Sequence, residues 1–187
     1  MLRIITVLLL VVLGSGSAWA GTMSLDFNNE SAQFNYKHLL TREAYGDSIA
    51  GFRLLYNEDT ETFLGTVAAG VVGTPGNVPG LETGVDISAS SSESDNEKMF
   101  AIAVGLTVDY SPPVLGGLGV LARAHYAPKV FTFMDAEKYL ETGVEIHFSF
   151  MPRAELLLSY QNVMIDFEKY DDVRVDDSVR IGIRLEF

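Results

Sequence analysis

The chain has 187 residues, no cysteine and a formal net charge of −12. This length suits one domain, and the lack of cysteine excludes both a disulfide framework and a thiolate metal site. Nucleic-acid binding is not expected, because phosphate contacts need clustered Lys and Arg. Acidic blocks such as Asp171, Asp172, Asp176 and Asp177 are interpreted as solvated loops, with cation binding as the alternative.

The first 20 residues have the parts of a secretory signal peptide. Arg3 supplies positive charge, and residues 4–13 form a run that is apolar apart from Thr6. This run is too short for a spanning helix, which needs about 20 apolar residues. The sequence Ala18-Trp19-Ala20-Gly21 fits a small-x-small cleavage site followed by the first mature residue. We therefore predict residues 1–20 as a signal peptide that is removed after Sec-type export, and residues 21–187 as the mature domain.

In the first half of the mature chain, apolar side chains recur at every second position. A period of two is the signature of a β-strand with one apolar face. The segments with this period are Met23, Leu25 and Phe27; Ala32, Phe34 and Tyr36; Ala50, Phe52, Leu54 and Tyr56; Val85, Ile87 and Ala89; and Phe100, Ile102, Val104, Leu106, Val108 and Tyr110. Residues 63–72 are apolar on both faces, so their orientation stays open. Residues 90–98 are polar and are predicted as a loop.

The second half continues the alternation to the last residue. Its apolar sets are Val120, Ala122, Ala124 and Tyr126; Leu140, Thr142, Val144, Ile146, Phe148 and Phe150; Leu156, Leu158 and Tyr160; and Val179, Ile181, Ile183, Leu185 and Phe187. Residues 168–176 are predicted as the last loop. The final set, above all Ile183, Leu185 and Phe187, resembles the C-terminal signal by which outer-membrane barrels are recognised for assembly.

The pattern predicts an all-β fold of about ten strands with no helical period. We expect a single antiparallel transmembrane β-barrel, with eight strands as the alternative if the first hairpin does not join the wall. Aromatic residues near strand ends fit the interfacial girdles of such a barrel; they are Tyr56, Tyr110, Tyr126, Phe148 and Phe150. The rival interpretation is a soluble periplasmic β-sandwich that binds a partner.

Charged residues lie on the polar faces of the predicted strands and would point into a barrel. They are Arg53, Arg123, Glu141, Glu145, Arg180 and Arg184. A hairpin centred near residue 132 would place Arg123 opposite Glu141 and His125 opposite Tyr139. We predict interior ion pairs Arg123–Glu141 and Glu145–Arg184, which either plug the barrel or form a charged constriction that selects small solutes.

The opposite wall is predicted to be lined by small side chains. The small residues are Gly84, Ser88, Ala101, Ala103 and Gly105. They would leave a narrow passage beside the charged wall. Ten strands are far fewer than the 16–18 of porins with a broad aqueous channel, so we expect no flux of large solutes.

An enzyme is the less favoured class. None of the three histidines has a zinc-ligand spacing such as HExxH. His125 with Asp135 is the only catalytic pair that the sequence suggests for an outer-membrane enzyme. We therefore expect no catalysis, no metal and no cofactor.

The whole mature chain resembles the YfaZ family of bacterial outer-membrane proteins. The likeness lies in the signal peptide, the alternating Gly-bearing strands, the Met151-Pro152 turn before the penultimate strand and the terminal Phe187. It implies a porin-like barrel in the Gram-negative outer membrane, and it supplies no catalytic motif. We expect a monomer whose partners are the outer-membrane lipids and, through the C-terminal strand, the barrel assembly machinery.

Overall fold

The structure is a computed structural model and describes residues 20–43, 46–76, 78–94, 97–167 and 170–187. The predicted signal peptide lies outside the described residues except for Ala20, so cleavage between Ala20 and Gly21 stays a prediction. Among the described residues, no helix is long and apolar enough to cross a membrane.

The described chain is almost entirely β-strand. The strands are β1 Gly21–Phe27, β2 Ser31–Glu43, β3 Gly46–Asn57, β4 Thr62–Gly73, β5 Leu81–Ser94, β6 Glu97–Tyr110, β7 Leu118–Ala127, β8 Thr132–Met134, β9 Ala136–Met151, β10 Ala154–Phe167 and β11 Tyr170–Glu186. Two short 3₁₀ turns, Pro113–Leu115 and Lys129–Phe131, lie in the connections on either side of β7.

Ten of these strands form a closed antiparallel ring. Each strand pairs with its sequence neighbour, β7 pairs with β9, and β1 pairs with β11 to close the sheet. The short β8 pairs only with Met99–Ala101 of β6 and lies outside the ring. The predicted ten-stranded barrel is therefore confirmed, and both the eight-stranded alternative and the two-sheet sandwich are wrong. The first hairpin joins the wall because β1 pairs with β2 on one side and with β11 on the other.

The two ends of the barrel can be identified by the chain termini and the turns that each end carries. Gly21 and Phe187 exchange two backbone hydrogen bonds of 3.0 Å, which brings the first and last strands together at one end. We call this end the terminal rim; it also carries the turns 111–117 and 152–153. The opposite end, the distal rim, carries the turns 28–30 and 58–61. Distance from either rim therefore gives the level of a residue along the barrel axis.

Alternate side chains of each strand point to opposite sides of the wall. In β5, Ile87 is 62% exposed on the outside, whereas Ser88 is 2% exposed on the inside. The same division resolves the orientation of residues 63–72, because Val67 points outward and Leu64 is fully buried inside. The outer face is thus apolar around the ring, and the inner face holds most of the polar groups.

Two predicted loops are wrong. Residues 90–98 continue β5 as far as Ser94 and β6 from Glu97, and β11 begins at Tyr170 rather than after residue 176. A strand in a closed sheet obtains its backbone hydrogen bonds from both neighbours, so polar side chains do not end it. Ser90 and Ser92 point inward and are buried, which is why their polarity resembled a loop in the sequence.

Candidate functional site

The distal part of the interior is closed by apolar side chains, which we call the distal plug. Its large members are Leu55, Leu64, Met99, Tyr139, Val163, Ile165, Phe167 and Val175. Each of them is at most 6% exposed. They belong to the inward face of strand segments near the distal rim. Since packed apolar side chains leave few voids larger than a water molecule, the barrel is sealed at this level.

Below the distal plug, Glu141 on β9 is contacted by four side chains, those of Arg53, Tyr139, Arg123 and Gln161. Arg53 of β3 forms a bidentate pair with it, with Nη2 2.6 Å from Oε2. The Tyr139 hydroxyl donates to the same Oε2 at 2.5 Å, and Arg123 Nε lies 3.6 Å from Oε1. Glu141 is 1% exposed, so its charge is compensated inside the barrel rather than by water.

A second group of polar contacts lies beside the Glu141 group, toward β11. Arg180 is 1% exposed; it donates to Asp176 Oδ2 at 2.8 Å and to Gln161 Oε1 at 2.9 Å. Gln161 Oε1 also accepts from Arg123 Nη2 at 2.8 Å. Gln161 therefore joins the two groups, and one polar layer crosses the interior from β3 to β11. We call it the central polar layer.

The two ion pairs predicted from the sequence are present. Arg123 pairs with Glu141, and Arg184 donates to Glu145 and, at 2.8 Å, to Glu155. Glu145 lies opposite Ser159 as expected. Ser159 in turn lies opposite Arg180. Arg184 therefore reaches Glu145 diagonally rather than through the strand register.

The predicted register of the β7–β9 hairpin is wrong by two residues. His125 lies opposite Glu141, and Arg123 lies opposite Gly143. The connection contains a 3₁₀ turn and β8, and its centre is consequently near residue 133 rather than 132. The Arg123 side chain still reaches Glu141 because diagonal neighbours in a sheet are within range of long side chains.

A cavity of about 130 Å³ lies on the terminal side of the central polar layer. Its inward-facing lining includes Asn35, Lys37, Thr66, Asp86, Thr107 and His125, and it reaches Arg53, Arg123 and Glu141. Of the predicted small wall, Gly84 lines this cavity, whereas Ala101, Ala103 and Ser88 are buried. The space beside the charged wall is therefore a cavity bounded on its distal side by Arg53, Arg123 and Glu141.

Asp86 and His125 lie within hydrogen-bond distance of each other beside this cavity, with His125 Nε2 3.1 Å from Asp86 Oδ1. The pair lies over Gly105, whose missing side chain makes room for it. A Cβ atom at position 105 would lie 2.4 Å from Asp86 Oδ2 and 2.5 Å from the His125 ring. Glycine is therefore the one residue that allows both side chains to lie against the wall here.

The catalytic pair considered from the sequence is not formed. His125 contacts Asp86, and Asp135 instead accepts a hydrogen bond from the Lys98 backbone at 3.0 Å. In the described part of the chain, no three His, Asp or Glu side chains are arranged to hold a metal ion.

Sequence reasoning missed a serine and histidine that meet near the terminal rim. Ser111 Oγ lies 2.9 Å from His147 Nε2, with Gly119 leaving the space between them. The Ser111 hydroxyl donates to Asp109 Oδ1 at 2.8 Å. Its proton is thus directed to a carboxylate rather than to the imidazole, which is not the arrangement of an activated nucleophile. A prediction from sequence could have found this Ser111–His147 contact only through the predicted hairpin registers, which say which strand residues lie opposite one another.

The outer face carries aromatic residues toward both rims. Tyr56 and Tyr126 lie toward the distal rim, and Tyr110, Phe148 and Phe150 lie toward the terminal rim; all five are 40–47% exposed. Of the predicted assembly residues, Ile183, Leu185 and Phe187 all face outward and are 36–48% exposed. The Phe187 ring stacks on Tyr36 with centroids 6.3 Å apart.

A closed antiparallel sheet with an apolar outer face and a charged interior defines a ten-stranded antiparallel β-barrel. The family model described as YfaZ precursor matches residues 1–187, and the chain belongs to this family, as the sequence resemblance predicted. No curated protein matches the chain.

Two solved structures are similar over 90% of this chain and 99% of their own length. One is KdgM porin, 14% identical with a TM-score of 0.44. The other is KdgM porin in complex with disordered oligogalacturonate, 14% identical with a TM-score of 0.43. Likeness at this level gives no reason to transfer the bound sugar to this chain.

Proposed function

We propose that this chain is a monomeric β-barrel of the Gram-negative outer membrane whose interior is a narrow, porin-like route for small polar solutes. The observation that carries this proposal is the combination of an apolar outer face with a polar interior around a closed sheet. A monomeric soluble protein rarely exposes a contiguous apolar patch larger than a few hundred Å². The outward positions of this barrel are apolar on strand after strand, and lipid is the environment that suits them.

The strand lengths agree with a membrane location. A transmembrane strand needs about 9–11 residues, and nine of the ten ring strands have 10–17 residues. Closure leaves no unpaired strand edge in the hydrocarbon. The aromatic residues toward both rims match the girdles at the two interfaces of such barrels. An even number of strands puts both termini on one side, which supports a periplasmic terminal rim.

The interior limits what such a route can carry. The distal plug and the central polar layer separate the terminal-side cavity from the distal rim. Solutes therefore reach the cavity from the terminal rim, and passage across the barrel requires the distal plug to rearrange. We infer a small and intermittent flux, and no transport of oligomeric substrates through this closed conformation.

The C-terminal strand has the features that we expect of a signal for insertion into the outer membrane. Ile183, Leu185 and Phe187 form an outward apolar row on β11, and Phe187 closes the ring against Gly21. We propose that the barrel assembly machinery recognises this row after Sec-type export. The side chains of this row point away from the interior. They are therefore free to contact the assembly machinery before β11 pairs with β1 to close the barrel.

Conductance of the refolded protein in planar bilayers tests the route. We expect rare, small steps from the wild type and larger or more frequent steps from Leu55→Ala/Leu64→Ala, which shortens two side chains of the distal plug. Arg123→Ala and Arg184→Ala should change the ion selectivity of those steps. Val67→Ala on the outer face is the matched control and should behave as wild type.

Heat-modifiable migration in gels shows that each variant is folded before it is measured. Silence from folded wild type and from the folded distal-plug variant would contradict the solute route. A structural role of the barrel would then be the better account.

A further inference from the structure

The lining of the terminal-side cavity has more lysine and arginine side chains than carboxylates, unlike the chain as a whole. Three cationic side chains line it, Lys37, Arg53 and Arg123, against the two carboxylates Asp86 and Glu141. Both arginines are directed at Glu141, and Asp86 is directed at His125. One positive charge in the lining is therefore not matched by a carboxylate, although the chain as a whole is strongly acidic.

Among the three cations of this lining, Lys37 is the one with no carboxylate within 4.0 Å. Its side chain points inward from β2 and is exposed to the cavity. Lys37 forms no salt bridge with any residue that the structure describes, whereas the neighbouring Arg53, Arg123 and Arg184 each contact a carboxylate within 4.0 Å. The carboxylates of Asp86 and Glu145 attract the Lys37 ammonium group from farther away. An ammonium group with no carboxylate within 4.0 Å, beside other cations, is the arrangement that a bound anion would stabilise.

The wall opposite Lys37 is built to leave this space open. Lys37 pairs with Gly51 on β3, and a Cβ atom at position 51 would lie 3.3 Å from Lys37 Cγ and 2.5 Å from the Tyr36 carbonyl oxygen. Glycine at 51 lets the lysine stem lie flat against the wall.

The remaining lining supplies neutral hydrogen-bonding groups. Asn35, Thr66 and Thr107 line the cavity with an amide and two hydroxyl groups. The Asn35 amide nitrogen and the Thr66 hydroxyl already form hydrogen bonds within the barrel, so the Thr107 hydroxyl is the group that a ligand can use. A cavity of about 130 Å³ holds several water-sized volumes, and so it suits a molecule of few non-hydrogen atoms. A hydroxyl group beside one ammonium group suits a small carboxylate, whose oxygens accept hydrogen bonds from both.

We propose that Lys37 anchors a small carboxylate anion in the terminal-side cavity, which deepens the proposed function by naming the class of solute. The carboxylate accepts hydrogen bonds from the Lys37 ammonium group and from the Thr107 hydroxyl. Entry is from the terminal rim, since the distal plug closes the other end.

Saturation-transfer NMR on the refolded protein in micelles tests the proposal with two probes of similar size and opposite charge, propionate and propylammonium. We expect binding of propionate and not of propylammonium. Lys37→Met should weaken propionate binding about tenfold or more, the loss expected for a charge-assisted hydrogen bond. Lys37→Arg should retain it. Lys98→Met, a lysine that pairs with Glu93 near the distal rim, is the matched control and should have no effect.

Equal propionate binding by wild type and folded Lys37→Met would overturn the proposal, as would preference for propylammonium. If Lys37→Met does not fold, Lys37→Gln replaces it, and the same outcomes apply. A folded barrel that conducts ions but does not bind propionate would reject this anion site and leave the proposed function intact. A chain that does not insert into lipid would reject the proposed function first.

Discussion

Arg53 on β3 and Glu141 on β9 form a bidentate ion pair across the barrel interior, although 88 residues separate them in the sequence. The pair joins two walls of the ring that share no backbone hydrogen bond. Because Arg123 also approaches Glu141, one carboxylate compensates two guanidinium groups. The stability of the central polar layer therefore depends on Glu141 more than on either arginine.

Glu141→Gln should lower the free energy of unfolding by about 3–5 kcal/mol, because it leaves two buried arginines without a counterion. Urea titration of the protein in micelles measures this. Glu93→Gln, at an exposed pair with Lys98, is the control and should cost about 0–1 kcal/mol. The double variant Arg53→Met/Glu141→Gln should be less destabilised than the two single variants added together. Strict additivity would show that the pair is not coupled.

Gly105→Val should separate Asp86 from His125 and destabilise the barrel by about 1–3 kcal/mol, the cost of overpacking. The side chain has no room, since a Cβ atom at this position already lies 2.4 Å from Asp86 Oδ2. Gly65→Val is the matched control on the outer face, where the nearest atom to a Cβ is 3.8 Å away. Equal stability of the two variants, measured by urea titration, would disprove the close approach.

A lysine on the outer face should be costly only at the depth of the hydrocarbon. Ile87 is the seventh of the 14 residues of β5 and is 62% exposed. Ile87→Lys should therefore cost about 2–4 kcal/mol in lipid bilayers. Val130→Lys is the control, because Val130 is 74% exposed in the turn at the distal rim and should tolerate the charge. Similar unfolding free energies for both variants in liposomes would contradict a lipid-facing Ile87.

Phe187→Ala should reduce the yield of folded barrel in cells while leaving refolding into micelles unchanged. The reason is that Phe187 is proposed to be recognised during assembly, and its ring is 48% exposed in the closed barrel. Phe133→Ala removes an aromatic ring of similar exposure from β8, outside the ring of ten, and serves as the control. Heat-modifiable migration of membrane fractions measures the yield. Equal loss in both variants would argue against a special role of the terminal residue.

Alternation of side chains was sufficient to predict the wall of this barrel. The outward row Val85, Ile87 and Ala89 follows from period two alone, and so does the inward position of Arg123. The pairs Arg123–Glu141 and Glu145–Arg184 followed because consecutive strands lie side by side, and long side chains reach diagonal partners even where the exact register differs.

Interior contacts across the ring could not be predicted in the same way. The Arg53–Glu141 pair depends on how the sheet closes, which local pattern does not encode. The distal plug was missed because Leu55 and Leu64 occupy inward positions where the alternation predicts polar residues. The β7–β9 register was misplaced because β8 and a 3₁₀ turn make the connection asymmetric.

The central claim is that successive residues of each strand face lipid and barrel interior in turn. The chain has no cysteine, so single cysteines introduced at positions 85–90 can each carry a spin label without background. Power-saturation EPR in bilayers then measures the access of oxygen, which partitions into lipid, and of a water-soluble nickel complex. We expect high oxygen access at 85, 87 and 89 and low oxygen access at 86, 88 and 90. Uniform access of the nickel complex to 85, 87 and 89 would contradict the membrane barrel.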